Sequence, residues 1–321
     1  MSYSELESEV PPADVEPTAR VQGRTPFQLA WARFRSDKVA LVSLVVLLLI
    51  VAFALMAPLW AKWTGHPYDA TFPKTGLDIN GQPTGPGAEF WLGADQLGRD
   101  VLVRAAYGAR ISLIVGVAAS VLASLFGVTI GVLAGYVGGV LDTILARAMD
   151  ITLALPYLLV AIVLAVTFQL TSVAASLTMT IFVIAFFSFA ATGRIIRGQV
   201  MSLKQKEFIE AARSLGAGRW RIMFVDVLPN LVAQVTVLAS LLVPTSIVFE
   251  ATLSFLGVGV RLPMPSWGSM LGEGSDVFQT AWWLLAVPGI LLLLTTLSFN
   301  LVGDAIRDAL DPRADRVTGG K

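Results

Sequence analysis

Between Lys38 and Asp304 the chain holds five long stretches without a single Asp, Glu, Lys or Arg: Val39 to Ala61, Ile111 to Leu141, Ile151 to Thr192, Val227 to Phe249 and Val277 to Gly303. A bilayer core takes roughly 20 apolar residues per helical crossing. Inside it a single segment can satisfy its own backbone only as a helix. Each stretch is long enough for one crossing, and Ile151 to Thr192, at 42 residues, is long enough for two. The polar Gln169-Leu170-Thr171-Ser172 supplies the turn between them. The expected fold is therefore an all-α membrane protein of six transmembrane helices, at about 39–59, 111–135, 151–169, 173–192, 231–257 and 282–303. A content of 55% hydrophobic and 14% charged residues lies far from that of an ordinary soluble domain.

Lys+Arg and Asp+Glu balance at 23 each, so overall charge points to no nucleic-acid partner, and only its distribution is informative. With the amino terminus inside, 17 Lys/Arg fall on cytoplasmic segments and 6 on outer ones. The positive-inside rule favours that orientation, with both termini cytoplasmic. The acidic, Pro-rich start to residue 26 reads as loose. The aromatic and basic mixture from Phe27 to Arg35 suits a helix lying at the membrane interface, against lipid. Zero cysteines exclude disulfides and thiol chemistry.

Within the predicted spans a few residues stand out. Ala123, Gly127, Gly131 and Gly135 form a small-residue stripe on the second helix, fit for close packing inside the chain or against a partner subunit. Pro156 and Pro244 remove backbone donors, either lining a passage or only bending the bundle. Glu250 lies deep in the fifth span, where an ionisable group is costly unless paired, shielded or wetted. It reads as a shielded or salt-bridged contact closing an outer gate, or as part of a substrate path. The lone His66 has no metal-ligand spacing and reads as a solvated loop residue. The chain has no G-x-x-x-x-G-K-[ST] loop, so any ATP hydrolysis belongs to another chain. No catalytic group, metal site or cofactor is expected.

The most informative segment is the connection 194–230. From Glu207 to Leu215 it is rich in helix formers, with Phe208, Ala211, Ala212 and Leu215 at i, i+3, i+4, i+7. Gly216 is placed to end that helix. A second short helix is expected from about Arg219 to Val227, leading through Leu228-Pro229 into the fifth span. Two short helices joined at a glycine make a plug suited to a groove on a soluble partner.

Here Glu210-Ala211-Ala212, Gly216 and Leu228-Pro229 resemble the coupling-loop signature of permease subunits of binding-protein-dependent ABC importers. Four further stretches resemble the second permease type of the dipeptide/oligopeptide/nickel family: Leu92 to Asp100 with Gly108 to Leu113, Arg147 to Asp150 with Pro156, Leu253 to Gly259 with Pro263 to Gly268, and Asn300 to Arg313. Ala94 and Val103 depart from it, where Thr and Ser are usual. In their own chemistry, Gly98-Arg99-Asp100 and Gly303-Asp304 suit helix capping and local ion pairs. The resemblance implies the type I importer permease fold. It divides the chain into a cytoplasmic tail (1–38), a first helix (39–59), an extracytoplasmic connection (60–110), a five-helix core (110–303) with its coupling loop (194–230), and a cytoplasmic end (304–321). It also implies a second homologous permease subunit, ATP-binding subunits and an extracytoplasmic binding protein as partners. Di- or oligopeptides are the implied cargo, with nickel or another small solute as the alternative; a self-sufficient secondary transporter would call for inverted repeats that the chain lacks.

Overall fold

The computed structural model describes residues 26–168 and 170–310. The loose tail expected for the first residues, Gln169 of the predicted turn, and Asp311 to Arg313 lie outside them. The helices are α1 (Pro26–Ser36), α2 (Lys38–Leu55), α3 (Ala57–Thr64), α4 (Pro73–Gly76), α5 (Val101–Val137), α6 (Gly139–Ala154), α7 (Tyr157–Phe168) and α8 (Val173–Leu203). They continue as α9 (Glu207–Ser214), α10 (Arg219–Arg221), a π-helical segment (Ile222–Val227), α11 (Leu228–Phe255), α12 (Trp267–Ser275) and α13 (Trp283–Leu310). Five of these pass for membrane crossings by length and hydropathy, with α10, the π segment and α11 acting as one. The pair α6 and α7, bent by 83°, supplies the sixth.

Several spans differ from the sequence expectation for identifiable reasons. The third is broken rather than continuous, because Pro156 stands in the gap between α6 and α7 and cannot donate to the preceding turn. Helix α5 starts at Val101, where the Asp100 carboxylate caps it by accepting from the N–H groups of Leu102 and Val103. Its first turns carry Arg104 and Arg110, which a charge-free window cannot include. Helices α8 and α13 likewise run on through charged turns to Leu203 and Leu310. Gly303-Asp304 thus lies inside a helix and ends nothing.

Helix α5 is the hub. Along its second half Gly127, Gly131 and Gly135 face α8, where an added Cβ would come within 2.8 Å of Thr192 Cβ, 2.6 Å of the Gly193 carbonyl oxygen and 2.7 Å of the Arg197 carbonyl oxygen. Of the two readings left open by the stripe, packing inside the chain is the one realised. Along its first half α5 meets α11, with Gly116 against Ile247 and the Ser120 hydroxyl 3.0 Å from that of Ser246. The short α12 is wedged in above: Trp267 is fully buried, donates from its indole N–H to the Ala105 carbonyl, and packs where Gly108 leaves room. At the other end of the bundle Phe34 of α1 packs with Ala305 and Ala309 of α13. The outward faces carry Val42, Leu48, Leu49 and Leu55 of α2 and Val121 and Leu125 of α5, all exposed. Such apolar surface belongs in lipid.

Gly131→Val should destabilise the folded chain by about 1–3 kcal/mol, since the new side chain meets backbone rather than a yielding side-chain tip. Gly198→Ala on α8, where a Cβ meets nothing within 4 Å, should instead hold the stability or raise it by up to about 1 kcal/mol through helix propensity. Thermal unfolding of the two purified variants in detergent compares them directly.

Candidate functional site

The segment between α8 and α11 is anchored by one side chain. Ile209 of α9 is fully buried among Ile222, Met223 and Val227 of the π segment and Val132, Tyr136, Ile196 and Val200 at the ends of α5 and α8. The Lys204 ammonium donates to the Tyr136 carbonyl at 2.7 Å, tying the same corner. The predicted apolar face is divided: Ala212 turns partly inward, whereas Phe208, Ala211 and Leu215 are exposed together with Glu210. Leu215 keeps 88% of its surface accessible, so at that residue the described part of the chain leaves the face open. Trp220 and Phe224 extend it as a stacked, exposed pair with centroids 6.3 Å apart.

Gly216 closes α9 at φ +83°. Its N–H donates to the Arg213 carbonyl at 3.0 Å, and that of Ala217 to Ala212 at 3.1 Å, the two bonds of a Schellman motif. An added Cβ would meet nothing within 4 Å, so glycine is required by the backbone angle and not by crowding within the chain. The second short helix expected here is not separate. From Arg219 the chain winds without interruption through the wider π turn into α11, with half-buried Leu228 and exposed Pro229 at the join. Pro229 has no N–H to give the preceding turn, and the wider turn stands immediately before it. The exposed tip is therefore the end of a spanning helix, and displacement of one moves the other.

Toward the opposite end, Glu250 of α11 is completely buried. Its carboxylate accepts from the Ser112 hydroxyl of α5 and the Ser254 hydroxyl of α11, each at 2.7 Å. Among the described residues it makes no salt bridge, so the shielded alternative holds, with hydroxyls as the shield. Ser254 in turn lines a cavity of about 870 Å³ bounded by α7, α8, the end of α11, the 257–262 loop and α12. Glu250 stands one hydrogen bond behind that wall. Of the two prolines, Pro156 breaks the third span and Pro244 lies buried within the fifth, neither lining this cavity.

Beside the cavity sits a charge cluster assembled from distant parts of the chain. Arg104, fully buried, donates to both Glu273 carboxylate oxygens at 2.9 Å, and Arg99 reaches the same carboxylate at 2.7 Å and Asp95 at 2.6 Å. The local pairing expected of Gly98-Arg99-Asp100 is present, joined by two partners from elsewhere in the chain. His66 corrects an expectation: it is buried, not solvated. Its Nδ1 lies 2.8 Å from the Asp100 carboxylate and its ring stacks 4.7 Å from that of Phe90. Compaction of the 60–110 connection, which no local pattern signals, brings it there. Glu273, Arg104, Ser112 and Ser254 are likewise beyond reach of sequence reasoning, since an acid in α12 and an arginine 169 positions earlier share no periodicity.

Six crossings with an exposed tip on a spanning helix, and a largely apolar cavity with a few serine, threonine and charged side chains toward the other end, define a multi-pass membrane translocation subunit. The family described as "Binding-protein-dependent transport system inner membrane component" matches residues 127–316, and the N-terminal TM domain of oligopeptide transport permease C matches residues 25–82. The di/tripeptide transport system permease protein DppC of Pseudomonas aeruginosa is 40% identical over 291 residues, 90% of this chain and 93% of its own. The oligopeptide permease OppC of Escherichia coli K12 is 41% identical over 293 residues, covering 91% and 93%. The glutathione permease GsiD of Salmonella paratyphi A is 41% identical over 294 residues, covering 91% and 92%. In fold the chain is similar to an inward-facing structure of the MetNI methionine ABC transporter, with a TM-score of 0.52 at 17% identity over 64% of this chain and 94% of that one. The chain belongs to the binding-protein-dependent transport-system inner-membrane permeases.

Glu250→Leu should strand two buried hydroxyls, each costing about 1–3 kcal/mol. Glu250→Gln, whose amide can accept from one serine and donate to the other, should keep most of that stability. Unfolding of both variants in detergent gives the difference.

Proposed function

We propose that this chain is one of two homologous permease subunits of an ATP-driven importer of di- or oligopeptides. An extracytoplasmic binding protein delivers the cargo, and separate ATP-binding subunits drive the cycle. Both termini and the α9 tip are cytoplasmic. This orientation rests on the 17-to-6 distribution of Lys and Arg. The peptide reading rests on relatives named for di-, tri- and oligopeptide transport that align over nine-tenths of the chain.

The observation that carries the reading is the tip itself: exposed Phe208, Ala211 and Leu215 with Glu210 beside them, on a short helix fixed through Ile209 to the root of α11. Docked in a groove of an ATP-binding subunit, that face follows the closure of the partner on ATP. Continuity from Arg219 into α11 then carries the displacement along the span to Glu250 and the cavity wall. Ala211 and Ala212 keep the docking helix slim, Glu210 offers a polar contact, Gly216 sets the bend, and Leu228 and Pro229 form the joint. Glu250 ties α11 to α5 through the two serines, so it acts as a strut of the gate.

The orientation predicts that a cysteine at Ser202 labels only from the cytoplasm and one at Gln279, exposed beyond α12, only from outside. Labelling of both from one side overturns it. Gly216→Val tests the coupling. A side chain at positive φ is strained by about 1–2 kcal/mol per residue, and bulk at the docking face opposes the partner. The variant should insert and pair with its sister subunit while losing ATPase co-purification or cargo-stimulated ATP hydrolysis. Wild-type transport, co-purification and hydrolysis together would refute the role of the loop.

A further inference from the structure

The wall of the 870 Å³ cavity contains two charged residues, Glu273 and Arg261, and they are not equivalent. Glu273 is held by Arg99 and Arg104, with Asp95 completing a cluster of two acids and two bases. That carboxylate is neutralised where it stands. Arg261 is exposed, and among the described residues no carboxylate pairs with it. It is the uncompensated charge of the cavity.

The other polar groups of the wall are largely committed within the chain. Ser176 donates to the Val173 carbonyl, Thr180 to Ser176, Ser254 to Glu250 and Ser269 to Ser266. A passing solute therefore finds few free hydroxyl donors and one free guanidinium. The backbone around that guanidinium is fixed. Gly257 ends α11 at φ +76°, with its own N–H on Ser254 and that of Val258 on Leu253. Gly259 lies so close to Ser254 that a Cβ would come within 2.0 Å of its hydroxyl oxygen. The N–H of Arg261 then donates to the Ser176 hydroxyl at 3.1 Å, joining the loop to α8. An arginine on a pinned loop, with a fork of donors free and a cavity before it, is built to accept a carboxylate.

We infer that Arg261 is a specificity-determining residue of the translocation path, receiving the terminal carboxylate of the peptide as it enters the permease cavity. The inference rests on the peptide-importer reading and names the chemical group that this cavity recognises. The neutralised Glu273 leaves the ammonium end of the same peptide without a matching partner in this wall, so recognition here is one-ended.

The test uses the complete transporter in proteoliposomes, with permease pair, ATP-binding subunits and binding protein. Initial uptake is measured for one labelled tripeptide with a free carboxyl end and for its C-terminal amide, each saturating the binding protein and each compared with its own wild-type rate. Arg261→Gln should slow the free acid about tenfold, the factor expected of one lost charge-assisted hydrogen bond. The amide should slow less than about twofold on the same principle, as it offers no charge to lose. Arg261→Lys, which keeps the charge but not the fork of donors, should restore part of the free-acid rate. Equal slowing of acid and amide, or none of either, with normal wild-type uptake, overturns the Arg261 assignment and leaves the importer reading standing. Failure of the wild-type complex to take up either peptide refutes the peptide reading and the inference with it.

Discussion

Backbone-to-backbone contact between α5 and α8 is the constraint on which the rest of the molecule depends. In lipid, apolar side chains gain nothing by leaving one hydrocarbon surface for another, so helices associate through close van der Waals fit. The glycines of α5 lie so near the α8 carbonyls that no Cβ fits between them. That contact fixes the ends of both helices, and the ends form the socket into which Ile209 is buried. The exposed tip formed by α9 is thus held in place by glycines in the second half of the α5 span.

The first half of α5 faces α11 and handles polarity differently. Ser112, Ser120, Ser246, Ser254 and Glu250 form hydrogen-bonded contacts between and along the two helices. A buried carboxylate without a cation costs a great deal unless its lone pairs are met, and here two hydroxyls meet it. The same helix therefore has an apolar, close-packed half beneath the tip and a polar, hydrogen-bonded half beside the cavity. Motion of α11 relative to α5 would strain the polar, hydrogen-bonded half and leave the close-packed contact with α8 intact.

Much of this architecture is legible in the amino-acid sequence. The charge-free runs set the number of crossings, because a charge facing hydrocarbon is costly wherever the chain does not shield it. The glycine at 216 announces its own left-handed turn, since the penalty on other residues there is local. Helix ends are less legible: α5, α8 and α13 continue through charged turns, and a helix does not end merely because the lipid does. The face of α9 is only partly so. Periodicity finds an apolar side, but Ile209 and the exposed Phe208 and Leu215 are all apolar, and only packing shows which of them is spent within the chain.

The sequence by itself determined the number of spans, the glycine stripe and the position of the exposed loop, each a consequence of interactions within one segment or with solvent and lipid. Only the tertiary structure decided that His66 is buried against Asp100, that Glu273 is shared by Arg99 and Arg104, that Glu250 is shielded by serines, and that Arg261 alone among the cavity's charges has no counterion among the described residues. The reason is physical. A helix repeats every 3.6 residues and leaves its period in the sequence, whereas a pairing between an arginine on α5 and an acid on α12 depends on where two distant helices come to rest, and leaves no period to read.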